Sequence, residues 1–180
     1  GKRYNRETGI HTDFSRRLSE KWQLSLNAGY IKKYYRNSDS AARYNSHMPL
    51  AGATLAYSAP KNWLIYGGVD WSHDMTKEAE QASVRKSMRF GAVKAFENGF
   101  GIRTNLRYAR RTFDAPGSLV YRLTRKDHEY QANASIWHNK IAWKGLVPHL
   151  NFRYLKIDSN MSGFYSRKSM QTFISVEKQF

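Results

Sequence analysis

The chain contains no cysteine among its 180 residues. This absence excludes a disulfide-stabilised scaffold and a metal site with thiolate ligands. Long apolar runs are also absent: the mean hydropathy is −0.73, and no segment approaches the roughly 18 apolar residues of a membrane-spanning helix. Membrane-spanning strands are not excluded, because strands that alternate apolar and polar residues average to a hydrophilic sequence.

Acidic residues are scarce beside the basic ones. The sequence has 30 Lys and Arg against 14 Asp and Glu, which gives a formal net charge of +16. This excess has three interpretations: a nucleic-acid-binding surface, attraction to anionic lipid headgroups, or a cationic barrel lumen or set of loops. Composition alone favours nucleic acid. The chain starts at Gly1-Lys2-Arg3-Tyr4 without a secretion signal, so we expect a mature or truncated piece of a protein.

Helical periodicity is nearly absent, and strand signals recur along the chain. They predict nine strands, at residues 10–18, 22–35, 48–57, 63–73, 86–96, 100–112, 128–137, 147–157 and 165–180. None of the four prolines lies at the centre of a strand, where its missing N–H would interrupt the ladder, and Pro60 and Pro116 are expected in connections. Residues 77–83 have some helical character, but we expect them to form a loop.

The predicted connections alternate between short and long. The short ones are residues 19–21, 58–62 and 97–99, together with the compact segment 138–146. The long, polar ones are residues 36–47, 74–85, 113–127 and 158–164. Short turns at one rim and long loops at the other are typical of outer-membrane barrels, whereas soluble sandwiches rarely divide loop lengths so regularly by end.

Aromatic residues recur in pairs that are eight residues apart on three of the predicted strands. The pairs are Trp22 and Tyr30, Trp63 and Trp71, and Phe100 and Tyr108. An even spacing puts both members of a pair on one face of a strand, and the residues between them on that face are small or apolar. Eight residues in a tilted strand rise about 20 Å, close to the ~25 Å apolar band of membrane barrels. We therefore predict an aromatic girdle at each membrane interface.

The opposite faces of the strands are polar. The candidate lumen-lining residues are Arg103, Asn105, Arg107, Arg111, His149, Asn151 and Arg153. Alternation alone does not distinguish a membrane barrel from a soluble domain, but the aromatic pairs and the loop lengths favour the membrane. The arginines are expected either to form a cationic stripe that helps an unfolded polypeptide pass or holds an inner plug, or to pair with acidic residues of strands outside this chain.

The last predicted strand combines β-forming residues with an aromatic final residue. Ile174, Val176 and Phe180 share one face, and we predict that they form the signal read by the barrel-insertion machinery. The mechanism would be edge pairing, since an unpaired strand edge is a template for another strand. A C-terminal strand packed into a soluble sandwich is the alternative for this segment taken alone.

Catalytic and metal-binding patterns are weak. The six histidines are scattered, and no two have the spacing of metal ligands on a strand or helix. Ser72, His73 and Asp74 resemble part of a hydrolase site, but nothing marks an activated nucleophile. We therefore expect no enzyme activity, no metal and no cofactor.

Five segments in the last part of the chain carry a family resemblance. They are residues 125–128, 145–154, 157–161, 164–168 and 173–180, and the most specific motif is Ile157-Asp158-Ser159-Asn160. They resemble the C-terminal barrel of the surface lipoprotein assembly modifiers. The resemblance implies a Gram-negative bacterial protein in which a periplasmic tetratricopeptide-repeat domain precedes an outer-membrane barrel of about fourteen strands. It also implies movement of lipoproteins, or of related secreted proteins that bind host iron or haem carriers, to the cell surface.

The expected fold is all-β: an antiparallel meander transmembrane β-barrel. Bacterial single-chain barrels have even strand numbers, so we expect residues 1–180 to form a single C-terminal domain with about nine strands of a larger barrel. The expected function is export or display of client lipoproteins at the bacterial outer membrane. The expected partners are outer-membrane lipid, a client surface lipoprotein and the barrel-insertion machinery, without nucleic acid. The alternatives are a generic porin or adhesin barrel, and a soluble basic β-domain that binds nucleic acid.

Overall fold

Nine antiparallel strands follow one another in a single sheet in the computed structural model of the chain, which describes residues 5–36, 38–116 and 122–178. The strands are β1 (Asn5–Arg17), β2 (Trp22–Tyr35), β3 (Ser46–Ala59), β4 (Trp63–Thr76), β5 (Ser83–Ala95), β6 (Phe100–Pro116), β7 (Thr124–His138), β8 (Leu146–Ser159) and β9 (Arg167–Lys178). Each strand pairs with its neighbour in sequence, in the order β1 to β9. The all-β, antiparallel meander expected from the sequence is confirmed.

In the described part of the chain, two short helices that the sequence did not predict lie in the longer connections. Helix α1 (Ser38–Tyr44) joins β2 to β3, and α2 (Ser162–Tyr165) joins β8 to β9. The expectation of plain loops there is wrong, because one or two helical turns are too short to produce a recognisable apolar period. Residues 77–82 form turns rather than a helix, as expected. Within the described ranges, no helix is long and apolar enough to cross a membrane.

At the rim with the longer connections, several strands extend further than the sequence predicted. Strand β1 begins at Asn5 rather than at residue 10, and β5 begins at Ser83 rather than at residue 86. Pro116 ends β6 and pairs with Thr124 after an irregularity in register, so its placement in a connection was wrong. Most of the missed residues are polar, so they show little of the alternation that identifies a half-buried strand.

One face of the sheet is apolar and uncovered. Because paired residues share a face, the register places the apolar residues of neighbouring strands side by side, as for Val69 with Met88 and Phe90 with Leu106. The exposed fractions are 59% for Val69, 59% for Met88 and 65% for Phe90. No other part of the described chain therefore covers the centre of this face.

The opposite face is polar and more crowded. Nearly all buried residues point to it, including Asp127, Glu129, His149 and Val147. Arg103 of β6 reaches Glu177 of β9, three strands away, with 3.8 Å between Nη1 and Oε1. In a flat sheet these strands would lie about 14 Å apart. The sheet therefore curves around the polar face, and we call the two surfaces the concave polar face and the convex apolar face.

Strands β1 and β9 are the two edges of the sheet. Among the described residues, neither strand has a pairing partner on its outer side. All residues of β1 are exposed, and so are nearly all of β9. The architecture is thus an open, curved, barrel-like meander.

Candidate functional site

The candidate lumen-lining residues lie together on the concave polar face. Arg103 pairs in register with Ser135 of β7, which pairs with Asn151 of β8. Asn105 is connected in the same way through Asn133 to Arg153. Arg107, Arg111 and His149 follow at even spacings along β6 and β8 and share this face. This placement agrees with the pattern read from the sequence, whereas the role of these residues as a lumen wall stays a prediction.

Glu129 is the centre of the first cluster on the concave face. Its side chain is only 9% exposed and accepts a hydrogen bond from Nη2 of Arg85. Nε of Arg111 lies 3.5 Å from its other carboxylate oxygen. Glu129 thus joins two arginines from β5 and β6, and this pairing compensates a carboxylate that would otherwise be unfavourable at such a depth.

Asp70 organises a second cluster beside the first. Nη2 of Arg89 lies 3.4 Å from Asp70 Oδ1, and the same nitrogen donates to Thr54 Oγ1 at 2.6 Å. Ser87 donates to Asp70 Oδ2 at 3.3 Å and accepts from Nη2 of Arg107 at 3.2 Å. Arg107 has no carboxylate within ion-pair distance among the described residues. It therefore remains an uncompensated cation on the wall of a polar cavity of about 410 Å³.

A third cluster joins β6 to the C-terminal edge of the sheet. The His149 ring stacks on Trp137 with 4.9 Å between centroids, and its Nε2 lies 3.7 Å from Glu177. The guanidinium of Arg103 lies over the same Trp137 ring at 5.6 Å. Two more predicted residues reach β9: Asn151 donates to Ser175 at 2.9 Å, and Arg153 lies over Phe173 at 5.6 Å.

Two of the arginines have acidic partners within this chain: Arg111 pairs with Glu129, and Arg103 pairs with Glu177. Pairing with strands outside this chain stays a prediction. The sequence reading also missed Arg85 and Arg89. Their spacing around Ser87 was an available signal, because alternate residues of a strand share a face.

The specific loop motif of the family resemblance has a visible structural role. Asn160 accepts a hydrogen bond from Lys126 N at 2.8 Å and donates one to Thr124 O at 2.9 Å. Nearby, Arg125 binds Asp127 through two hydrogen bonds, at 3.0 and 2.6 Å, and its guanidinium lies 3.7 Å from the Tyr165 ring centroid. These contacts fasten the β8–β9 connection and α2 to the start of β7.

The six girdle residues lie on the convex apolar face in two rows. One row, near the short turns, contains Trp22, Trp63 and Phe100; the other, near the longer connections, contains Tyr30, Trp71 and Tyr108. Neighbouring rings extend each row, as Tyr57 does beside Trp22 at 4.7 Å and Tyr130 beside Tyr108 at 5.4 Å. The girdle role itself stays a prediction.

The proposed insertion signal lies partly outside the described residues. Ile174 and Val176 are on β9, on the convex face, with exposed fractions of 72% and 57%. Phe180 falls in the part of the chain that the structure does not describe.

The hydrolase-like triplet is divided between the two faces of the sheet. His73 pairs with Asp114 at 3.0 Å, whereas Asp74, on the opposite face, pairs with Lys33 at 3.3 Å. Alternation puts Ser72 on the same face as Asp74. In the described ranges, no group of three His, Asp or Glu side chains is arranged to hold a metal ion.

Comparison with known proteins gives the same family along the whole chain. The family model described as surface lipoprotein assembly modifier matches residues 1–180. Surface lipoprotein assembly modifier 1 of Haemophilus influenzae is 31% identical over 99% of this chain and 36% of its own length. A surface lipoprotein assembly modifier of Pasteurella multocida is 26% identical over 88% of this chain and 32% of its own length.

A protein named hemophilin secretion modulator, from Acinetobacter baumannii, is 26% identical over 72% of this chain and 26% of its own length. The chain thus spans about a third of the length of the curated relatives it matches. No solved structure matches it. Because the family model covers every residue, the chain belongs to the surface lipoprotein assembly modifier family.

Proposed function

We propose that this chain is part of an outer-membrane barrel that exports or displays client lipoproteins, or related secreted proteins, at the surface of a Gram-negative bacterium. The observation that supports the proposal most strongly is the difference between the two faces of the sheet. One sheet presents an uncovered apolar convex face and a concave face built from ion pairs.

The convex face fits hydrocarbon better than water. Soluble monomers rarely expose a contiguous apolar patch larger than a few hundred Å². Here exposed apolar side chains continue across the sheet from Phe14 on β1 to Ile174 on β9. The two aromatic rows are eight residues apart along the strands, which supports a placement at the two interfaces of a bilayer with water.

The open edges fit a larger barrel. Lipid does not satisfy backbone N–H and C=O groups, so a spanning sheet has to close on itself. In our proposal, further strands complete the ring beside β1 and β9. A barrel of about fourteen strands is wider than an eight-stranded one, whose interior is filled by side chains, and leaves room for a polypeptide.

The family supports this function over the alternatives. The relatives carry names that refer to surface lipoprotein assembly or to secretion, which favours client export over a general porin. A nucleic-acid platform would leave the large uncovered apolar face in water, which is unfavourable. We propose a non-catalytic translocator whose partners are outer-membrane lipid, the client and the insertion machinery.

The test is surface display of a client lipoprotein in cells that carry or lack the full-length protein. Antibody labelling of intact cells should detect the client only when the protein is present. Display that is independent of the protein would contradict the proposal.

A second arm examines the concave arginines in the full-length protein. Arg103→Glu with Arg107→Glu should reduce display while heat-modifiable gel mobility shows a folded barrel. Lys21→Glu with Lys61→Glu, in two short turns, is the matched control and should leave display unchanged. Normal display by the first variant would exclude a transport role for these arginines.

A further inference from the structure

The convex apolar face contains a groove that no role described so far uses. It is a cavity of about 550 Å³ across β3 to β6, toward the rim with the longer connections. Its apolar lining comes from Ala51, Ala53, Val69, Trp71, Met88 and Tyr108. Lys86 and Arg110 lie at one end.

The strand register explains the shape of the groove. One cross-strand row runs from Ala51 through Trp71 to Lys86 and Arg110, and the next row runs from Ala53 through Val69 and Met88 to Tyr108. The two alanines leave space on β3, and the larger side chains of β4 to β6 rise beside them. The result is an apolar channel that ends at two cations.

The two cations are adjacent and unpaired. Lys86 and Arg110 are direct register partners, and both are exposed. Neither has an ion pair or a side-chain hydrogen bond among the described residues. The acids nearest on this rim of the convex face are engaged elsewhere: Asp114 binds His73 at 3.0 Å, and Asp158 binds Lys156 at 2.8 Å.

Like charges that face each other across a strand pair are unfavourable unless an anion lies between them. A smaller recess of about 320 Å³ adjoins the same two side chains and is lined also by Val84, Thr112 and Asp114. It provides room for a headgroup beyond the end of the apolar groove. Trp71 and Tyr108 mark this level as the membrane interface in the proposed function.

We propose that this groove binds one lipid whose headgroup carries a phosphate, with an acyl chain in the groove and the phosphate held by Lys86 and Arg110. The inference rests on the membrane position proposed above. Charge complementarity selects the occupant, because a guanidinium and an ammonium together match a phosphate, and basic clusters at membrane interfaces recognise anionic headgroups. The longer connections are on the extracellular side in this class of barrel, so the lipid belongs to the outer leaflet.

The experiment measures lipid binding to the full-length protein in detergent, by native mass spectrometry and by tryptophan fluorescence. The probes are bisphosphorylated lipid A, the same lipid without its phosphates, and inorganic phosphate. We expect one lipid A per protein at this site, with weaker binding of the dephosphorylated form and of inorganic phosphate. Each interfacial cation contributes roughly fivefold in affinity for an anionic headgroup. Removing both cations with Lys86→Gln and Arg110→Gln should therefore weaken lipid A binding about thirtyfold.

Two further variants complete the design. Ala53→Phe fills the groove and should weaken the binding of both lipids while leaving the cations in place. Arg16→Gln with Lys21→Gln removes the same charge at the opposite rim and should change nothing. Heat-modifiable mobility of each variant shows whether the barrel is folded.

The proposal is overturned if the Lys86 and Arg110 variant binds lipid A normally, or if the control variant loses affinity equally. It is also overturned if dephosphorylated lipid or inorganic phosphate binds as tightly as lipid A. Failure of the lipid site is distinguishable from failure of the proposed function, because a protein without the site should still fractionate with outer membranes and display its client.

Discussion

Arg85 and Glu129 bind each other across an intervening strand. Arg85 is on β5 and Glu129 on β7, yet Nη2 of the arginine donates to the carboxylate over the backbone of β6. Arg111 of β6 approaches the same carboxylate to 3.5 Å. This three-strand contact requires the curvature of the sheet. Loss of the contact should therefore change the shape of the concave face.

Replacing Glu129 by Gln should therefore destabilise the barrel. The change leaves two arginines without their shared anion in a partly buried site, which we expect to lower the free energy of unfolding by about 2–4 kcal/mol. Urea-induced unfolding of the full-length protein in detergent, followed by tryptophan fluorescence, measures the effect. Glu177→Gln is the matched control: this side chain is 48% exposed and lies 3.8 Å from Arg103, and we expect less than about 1 kcal/mol. Equal losses for both variants would contradict the central role of Glu129.

Two neighbouring residues on β6 distinguish a membrane-facing convex surface from one that faces water. Leu106 is 59% exposed on the convex face, and Asn105 is on the concave face, where it donates to the Tyr66 hydroxyl at 3.2 Å. In a bilayer, Leu106→Lys should cost about 2–4 kcal/mol because the cation enters hydrocarbon. Asn105→Lys should cost about 1 kcal/mol, mainly for the lost hydrogen bond.

The measurement is the amount of heat-modifiable full-length protein in the outer-membrane fraction. We expect a clear decrease for Leu106→Lys and a near-normal amount for Asn105→Lys. If Leu106 faces water instead, its replacement by lysine should be harmless. That outcome would refute the membrane position of the convex face.

The sequence predicted every strand correctly but not the full length of several of them. Alternation between Trp63 and Trp71, for example, identified β4 because one face is apolar and the other polar. In β1 and β7 both faces become polar toward the longer connections, and the backbone ladder alone continues β1 back to Asn5 and β7 back to Thr124. Hydrogen bonding between strands depends on the partner strand. The alternation of residues within one strand carries no information about that partner.

The candidate site was predicted as a set of residues but not as a set of contacts. Alternation placed Arg103, Arg107 and Arg111 on one polar face, which is a local property of β6. Their partners depend on the register of other strands and on curvature. Glu129 is reached from two strands, whereas within the described ranges Arg107 has a side-chain hydrogen bond only to Ser87. Nothing in the spacing of the arginines distinguishes these cases.

Gly91 is required by the close approach of an aromatic ring. It pairs in register with Tyr66, and a Cβ at this position would lie 2.2 Å from Cζ of that ring. Gly91→Ala should therefore displace Tyr66 and lower the free energy of unfolding by about 1–3 kcal/mol, as overpacking does. Urea unfolding in detergent measures this loss, and Tyr66→Leu in the same chain should restore part of it by removing the clash.

Gly67→Ala on β4 is the control for this prediction. A Cβ there would meet the Phe90 ring at 3.3 Å, on the open convex face where the ring has room to move. We expect a change of less than about 1 kcal/mol. If both alanine variants lose the same stability, the effect is a general one of glycine in strands and not the contact with Tyr66.

The C-terminal edge should determine how efficiently the barrel is inserted. Strand β9 pairs with β8 on one side only among the described residues, and Ile174 and Val176 remain exposed on its convex face. An unpaired edge with apolar side chains is a template for strand addition, which is how we expect the insertion machinery to read this segment together with Phe180. Deleting Phe180 should therefore lower the outer-membrane amount of the full-length protein several-fold.

The measurement is immunoblotting of outer-membrane and periplasmic fractions. Unassembled protein should accumulate in the periplasm or be degraded there. Gln179→Ala keeps Phe180 and serves as the control. Ile174→Asn with Val176→Asn should reproduce the defect, because it removes apolar side chains from the same edge. The fraction of the protein that is inserted without Phe180 should unfold in urea as the wild type does, because the predicted defect is in recognition by the insertion machinery. If the inserted variant also unfolds at lower urea than the wild type, Phe180 has a structural role, and the prediction that it is an insertion signal is refuted.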